Sequence, residues 1–373
     1  MPAVASCLAL NLKRRMLDKK FSPERQTAFE ARFEAQKIAF GPVVFQCVRY
    51  AWKRGMLQTL ADAGETGLSI TELAATGRWT EYALKVVLET CLSAGVVFVH
   101  DGRYALDKAG FCVLTDSITQ INIDFNHDVC YQGLFKLDES LDAEKPIGLK
   151  ALGEWPTLYQ GLSELSEPAK TSWFAFDHYY SDTSFPSIMP DVFATAPRKV
   201  MDVGANTGKF SCVALDYNAD VELHLVDLPR QLSVAATALE TAGVRQRAQL
   251  HPTDLLDPSL ALPSGMDVIW MSQFLSCFSE PAIATILQRA SAALAPQGQL
   301  LVMDTFWDRQ RYDIASYCLI NTSPYFTAMA SGNSKIYESG DYVRLAEAAG
   351  LKLLTARDGI GYCHSLLRFG RAE

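Results

Sequence analysis

Asp202-Val203-Gly204-Ala205-Asn206-Thr207-Gly208 is the stretch that decides how this chain is read. It follows a short apolar strand, Val200–Val203, and leads into a helix that begins near Lys209. Glycines in such a turn let a ligand approach the backbone closely. In doubly wound sheets, ligands bind beyond the carboxyl ends of the strands, where the strand order reverses. Asp227 ends the next strand, about 20 residues on, where an acid grips a ribose diol. A carboxylate suits that task because it accepts from both hydroxyls. A dinucleotide site would need G-x-G-x-x-G. Here Asn206 takes the second glycine position and the third carries no glycine, which disfavours NAD or FAD.

Around this turn the chain alternates strand and helix. Strands are expected at Glu222–Val226, Gln249–Pro252, Asp267–Met271 and Leu300–Met303. The uninterrupted apolar run at Asp267–Met271 reads as central. Pro229 opens a helix at its favoured first position and Gly243 closes it. Further helices are expected at Pro281–Leu294 and around Asp341–Ala349. Leu351–Ala356 and Cys363–Phe369 can pair as a hairpin. The expected fold is α/β, a doubly wound Rossmann-like sheet over residues 199–373.

A glycine turn opening on Asp202, with Asp227 closing the second strand and Asp254 following the third, is more specific than the turn alone. With these residues the sequence resembles the class I methyltransferases dependent on S-adenosylmethionine (SAM). More narrowly, it is similar to small-molecule O-methyltransferases with an N-terminal winged-helix dimerisation domain. The matching stretches are D-V-G-A-N-T-G, Val226-Asp227-Leu228-Pro229, Thr253-Asp254-Leu255-Leu256, Met271-Ser272-Gln273 and the Leu294–Gly298 segment before strand five. The resemblance implies that Gly204 and Gly208, with Asn206 between them, flank the methionine part of SAM. It implies that Asp227 binds the ribose, that Asp254 and Leu255 meet the adenine, and that Ser272 and Gln273 lie near the sulfonium. The reaction it implies is in-line methyl transfer to an aromatic or polyketide-like acceptor, on oxygen or carbon, leaving S-adenosylhomocysteine. The acceptor is a free small molecule or one held on a carrier protein.

One departure matters. Plant-type members carry a catalytic L-H-D-W-x-D-E stretch after strand four, and here the corresponding residues are Leu275-Ser276-Cys277-Phe278-Ser279-Glu280. Ser276 stands where the general-base histidine would be. His178, in the Asp177-His178-Tyr179-Tyr180 cluster, and His127 are the candidate bases, and Tyr180 is a candidate cofactor contact. Alternatively, the acceptor needs little base assistance, or methyl transfer has been lost and the chain is a decarboxylase-like, cyclase-like or regulatory relative. Losing one base removes about 10²–10⁴-fold, less than proximity can supply. Trp173, Phe176, Tyr179, Phe274, Phe278, Tyr317, Tyr325 and Phe326 are candidate lining for an apolar acceptor pocket.

Residues 1–25 read as a leader. Residues 26–115 read as a winged helix, and residues 116–198 as a helical linker and lid broken at Pro146, Pro156 and Pro168. A helical run over 26–60 is expected to break or bend at Pro42. Ser69 with Glu72 forms a capping box, Thr80 caps a second helix, and Asp101-Gly102 turns a hairpin. DNA binding through this module is a further reading. The second helix, however, offers only Lys85 as a cation, where a reader helix presents several. A homodimer contact fits its apolar stripe better.

With 373 residues, 49% hydrophobic and 20% charged, the chain is neither disordered nor low-complexity. The net charge is −8, split as +4 over residues 1–115 and −12 over the rest, no footprint for nucleic acid. Nine scattered cysteines without a C-x-x-C pair point to a reducing, cytoplasmic setting with no disulfide framework and no metal site. No apolar run is long enough to span a membrane.

Overall fold

The computed structural model describes residues 26–181, 184–257 and 259–372, except the side chains of Tyr180 and Ser181. The expected leader lies outside the described residues. The described chain divides into two compact units, residues 26–127 and 128–372.

The first unit begins with α1 (Ala28–Lys53) and α2 (Met56–Ala63). Thr27 and Glu30 form a capping box at its start. Pro42 does not end α1, which continues through it; the break comes at Arg54–Gly55, where Gly55 takes φ +77°. The winged-helix core follows as expected. Ser69 and Glu72 cap α3 (Ile70–Ala75), and Thr80 caps α4 (Glu81–Ser93). Leu84, Val87, Leu88 and Cys91 form the buried stripe of α4. The wing is β1 (Val97–His100) paired with β2 (Arg103–Leu106). Asp101 and Gly102 both take positive φ at its turn, as a two-residue hairpin requires. Two more helices, α5 (Lys108–Thr115) and α6 (Ser117–Phe125), complete this unit. On α4, Lys85 is 3.6 Å from Glu81, which neutralises the one cation that helix offers.

The second unit opens with the helices α7 (Leu137–Ala143), α8 (Leu158–Gly161), α9 (Ala169–Ser181) and α10 (Phe185–Val192). The sheet then begins with β3 (Lys199–Val203), and α11 (Lys209–Tyr217), β4 (Glu222–Asp227), α12 (Pro229–Thr241) and β5 (Ala248–Pro252) follow. The chain continues through β6 (Met266–Ser272), α13 (Glu280–Ala293), β7 (Leu294–Asp304), α14 (Asp313–Tyr325), α15 (Ser339–Ala348), β8 (Leu351–Ile360) and β9 (His364–Arg371). The strand order is β5-β4-β3-β6-β7-β9-β8. The first five strands in that order are parallel and β9 runs antiparallel to both neighbours. This is the expected doubly wound sheet with a terminal hairpin. The order reverses between β3 and β6, so the ends at Val203 and Ser272 flank the switch point.

One difference from the sequence reading has a simple cause. β7 starts six residues earlier than expected because Leu294 already pairs with Met266, ahead of a bulge. The segment after β7 is largely helical, as α14 and a following π-turn at Phe326–Ala330. Along β6 the pleat sends Val268 and Trp270 to one buried layer and Ile269 and Met271 to the other. That two-sided burial explains why β6 reads as a continuous apolar run. Among the described residues no helix is long and apolar enough to cross a membrane.

Ile269 is fully buried on the central strand. Ile269→Ala is expected to cost about 2–5 kcal/mol, measured as a lowered midpoint in urea with an unchanged m-value.

Candidate functional site at the carboxyl edge of the sheet

The turn between β3 and α11 is built from positive-φ residues: Gly204 at +77°, Asn206 at +47° and Gly208 at +76°. Each glycine is required for a different reason. A Cβ on Gly204 would lie 2.3 Å from the Phe274 ring, and one on Gly208 would lie 3.0 Å from Ala235 Cβ. The turn is fastened to the neighbouring strand. Gly204 N–H donates to Val226 O at 2.9 Å. Asp227 Oδ2 accepts from Asn206 N–H and Oδ1 from Leu228 N–H, both at 2.7 Å. Burial raises the Asp227 pKa, and these two backbone donors partly oppose the rise.

Asp202 is buried at the end of β3 and accepts from Ser211 Oγ at 2.7 Å. Burial pushes its pKa up to about 7. Gln273 follows β6 with φ +48°, and its Oε1 lies 2.6 Å from Nε2 of the buried His364. The Ser272 hydroxyl oxygen is buried without a hydrogen-bond partner.

These groups face a cavity of about 450 Å³. Of the residues the sequence singles out, Asp202, Gly204, Asn206, Asp227, Leu228, Asp254, Leu255, Ser272 and Gln273 line it, together with Trp173, His178, Phe274 and Phe278. Gly208 packs behind the turn. His178 Nδ1 is 3.0 Å from Lys209 Nζ, so that nitrogen accepts from the ammonium. His127 is the last residue of the first unit and is not among the cavity's lining. The Tyr180 side chain lies outside the described residues.

A second cavity of about 90 Å³ adjoins the first. Tyr159, Trp173, Asp177, Gln273 and Cys277 line both and therefore form the partition between them. The smaller cavity adds Phe176, Tyr325 and Phe326 from the expected pocket aromatics. Trp173 Nε1–H donates to Tyr325 OH at 2.8 Å, which fixes both rings. Two of the expected aromatics lie elsewhere. Tyr179 stacks on Tyr362 at 4.7 Å, and Tyr317 is 68% exposed on α14.

Sequence reasoning missed two members of this site. The Tyr159 hydroxyl is buried in the partition beside Cys277, and burial holds its pKa well above the usual range. No motif marks it. Asp304 closes β7 and lines the smaller cavity, 2% exposed. Its signal was available: like Asp202 and Asp227, it is an acid at the carboxyl end of an apolar strand.

Residues 32–104 match the Dimerisation2-like domain family and residues 201–300 match a methyltransferase domain family. An L-tyrosine C(3)-methyltransferase of Streptomyces lavendulae is 22% identical, over 84% of this chain and 85% of the relative. A 3-amino-4-hydroxybenzoate 4-O-methyltransferase of Streptomyces cremeus is 26% identical, over 71% of each. Among solved structures, the SAM-dependent methyltransferase SibL in its apo form superposes with a TM-score of 0.66 at 22% identity, covering 90% of this chain and 98% of that one. The mitomycin 7-O-methyltransferase MmcR gives 0.66 at 19% identity, covering 92% and 98%.

The turn's geometry yields a paired test. Gly204→Ala meets both left-handed strain and the Phe274 ring, whereas Gly243→Ala, at φ +70° with nothing within 4 Å, meets strain alone. Gly243→Ala is expected to cost about 1–2 kcal/mol. Gly204→Ala is expected to cost about 1–3 kcal/mol more, from overpacking. Chemical denaturation of the two variants reads the difference.

Proposed function

We propose that the chain, with its methyltransferase and Dimerisation2-like domain matches, is a SAM-dependent methyltransferase that methylates a small phenolic acceptor seated in the smaller cavity. The observation that carries this reading is the pair of adjoining cavities, one polar-edged and one apolar, divided at the carboxyl edge of the sheet.

The larger cavity fits SAM on three counts. Asp227 spends one lone pair of each oxygen on a backbone N–H, so each oxygen keeps another for a ribose hydroxyl. The Ser272 hydroxyl is buried and unpartnered at its wall. Gly204 lines the cavity with backbone alone, so a ligand can approach it closely. When bound, SAM supplies a methyl group on a sulfonium sulfur, which keeps the bonding pair as the methyl leaves in line.

The chain's own residues do the rest. Asp227 holds the ribose, and Asp254 and Leu255 border the adenine. Asp202 and the turn from Gly204 to Gly208 bound the amino-acid end. Ser272 and Gln273 border the sulfonium, and Gln273 is held there by His364. His178, engaged by Lys209, serves as a cofactor contact. Trp173, Phe176, Tyr325 and Phe326 hold the acceptor ring and exclude water. Positioning of this kind supplies of order 7–11 kcal/mol of the barrier. The acceptor class follows the named relatives, whose acceptors include L-tyrosine and a hydroxybenzoate. It is free or tethered to a carrier, and the methyl goes to oxygen or to ring carbon.

The chain works as a homodimer in this reading. Helix α1 exposes Phe29, Phe33, Ile38, Phe40 and Val43, and Ile38 is 81% exposed. A run of large apolar side chains left in water on one helix marks an association surface.

Three outcomes are expected. Asp227→Ala abolishes the heat of SAM binding in titration calorimetry, and binding by the native protein weakens on acidification as Asp227 takes up a proton. Retained heat in the variant would remove the ribose assignment. Phe33→Asp combined with Phe40→Asp gives a monomer by sedimentation equilibrium, with the circular dichroism of the fold preserved.

A further inference from the structure

We propose that Trp270 is a cofactor-binding residue whose indole N–H donates to the carboxylate at the amino-acid end of SAM; this deepens the methyl-transfer reading and rests on it. Trp270 is fully buried on β6 and lines the larger cavity. Its Nε1–H has no hydrogen-bond partner. Buried donors in folded proteins are almost always paired, and leaving one unpaired is costly. An orphan donor at a cavity wall therefore marks where a ligand's acceptor belongs.

The neighbouring residues fix that donor in place. Phe210 stacks on the indole, with ring centroids 4.5 Å apart and planes 9° apart, and Phe185 meets Phe210 edge-on at 5.8 Å. Both phenylalanines line the same cavity. Clamped in this way, the indole is held in one orientation. In the parallel register Trp270 stands beside Asp202 on β3, and paired residues on neighbouring strands leave the sheet on the same face. Ser272, two residues on, shares that face, and its hydroxyl is also buried without a partner. One wall of the cavity thus presents a carboxylate, an indole N–H and a hydroxyl.

That set matches a zwitterion. The amino-acid end of SAM carries an ammonium, which donates, and a carboxylate, which accepts. Ser211 Oγ donates to Asp202 Oδ2 at 2.7 Å, and the carboxylate keeps acceptor capacity for the ammonium. An indole N–H can only donate, so its partner in the ligand is the carboxylate. Lys209, at the start of α11, also lines the cavity and adds a positive charge. An ammonium on a flexible stem gives that charge no fixed direction, and the clamped indole supplies one. Adenine, ribose and sulfur are shared by many nucleosides. Asp202 and Trp270 together select one that still carries its amino-acid end.

The test uses the full chain with SAM, with decarboxylated SAM, which keeps the ammonium and lacks the carboxylate, and with 5′-methylthioadenosine, which lacks both. Titration calorimetry gives the affinities of the native protein and of Trp270→Phe. Nitrogen-15 NMR follows the indole N–H signals of the six tryptophans. The native protein should bind SAM more tightly than decarboxylated SAM. Trp270→Phe should weaken SAM binding by roughly 10–100-fold, the range for a hydrogen bond to a charged group, and leave the other two ligands nearly unchanged. Their retained binding shows that the variant is folded. The indole signal missing from Trp270→Phe should shift when the native protein takes SAM and stay near its free position with decarboxylated SAM. Equal native affinity for SAM and decarboxylated SAM, unchanged SAM affinity in the variant, or equal weakening of all three ligands would overturn the assignment while leaving methyl transfer in place. So would a native spectrum in which no indole signal separates SAM from decarboxylated SAM, whatever the variant's stability. A native protein that binds none of the three would overturn the reading and the assignment together.

Discussion

One carboxylate sets the geometry of the site. Asp227 takes the N–H of Asn206 on one oxygen and that of Leu228 on the other, each at 2.7 Å. Asn206 belongs to the turn after β3, and Leu228 opens the connection from β4 to α12. Both are segments whose backbone would otherwise be free to drift at the edge of the sheet. Charge-assisted hydrogen bonds of this kind are roughly twice as strong as neutral ones. They hold the turn in a left-handed conformation that costs of order 1–3 kcal/mol at a non-glycine residue such as Asn206. The same bonds leave Asp227 facing the larger cavity with acceptor capacity in reserve. Fold and binding site therefore depend on a single interaction.

The second constraint is the change of strand order between β3 and β6. It opens the crevice that Asp202, Asp227 and Ser272 border. Beyond β7 the chain does not leave this crevice, because α14 and the π-turn after it return Tyr325 and Phe326 to its far end. Tyr159, Trp173, Asp177, Gln273 and Cys277 then divide the space into a larger and a smaller part. In the proposed reading, a donor on one side and an acceptor on the other meet where these five side chains border both cavities. That division is what group transfer between two small molecules requires, and it does not depend on the missing histidine.

Much of this was legible in the sequence, and the limits have physical causes. Glycine turns, proline at a helix start and apolar strand runs are local signals, and they placed β3, β4, β6, α12 and the wing hairpin closely. Pro42 does not break α1, because a long helix tolerates one proline when the flanking turns keep their hydrogen bonds. β7 misled because the pairing of Leu294 with Met266 is a tertiary event. In the site, the residues near the glycine turn follow from spacing alone. Tyr159 does not, since its importance comes from burial beside residues more than a hundred positions away. Asp304 was one residue beyond where the strand was expected to stop. Of the eight pocket aromatics, Tyr179 and Tyr317 face other surroundings, because composition marks aromatic-rich segments and not the direction of each ring.

The central claim is that the two cavities are a cofactor chamber and an acceptor chamber meeting at the Tyr159–Gln273–Cys277 partition. A crystal structure of the complex with S-adenosylhomocysteine tests it most directly. The expected result places the ribose hydroxyls within about 2.5–3.0 Å of the Asp227 carboxylate, with the sulfur at the partition and directed toward Ser276 and Asp304. A nucleoside bound away from Asp227, or a sulfur turned from the smaller cavity, would contradict it.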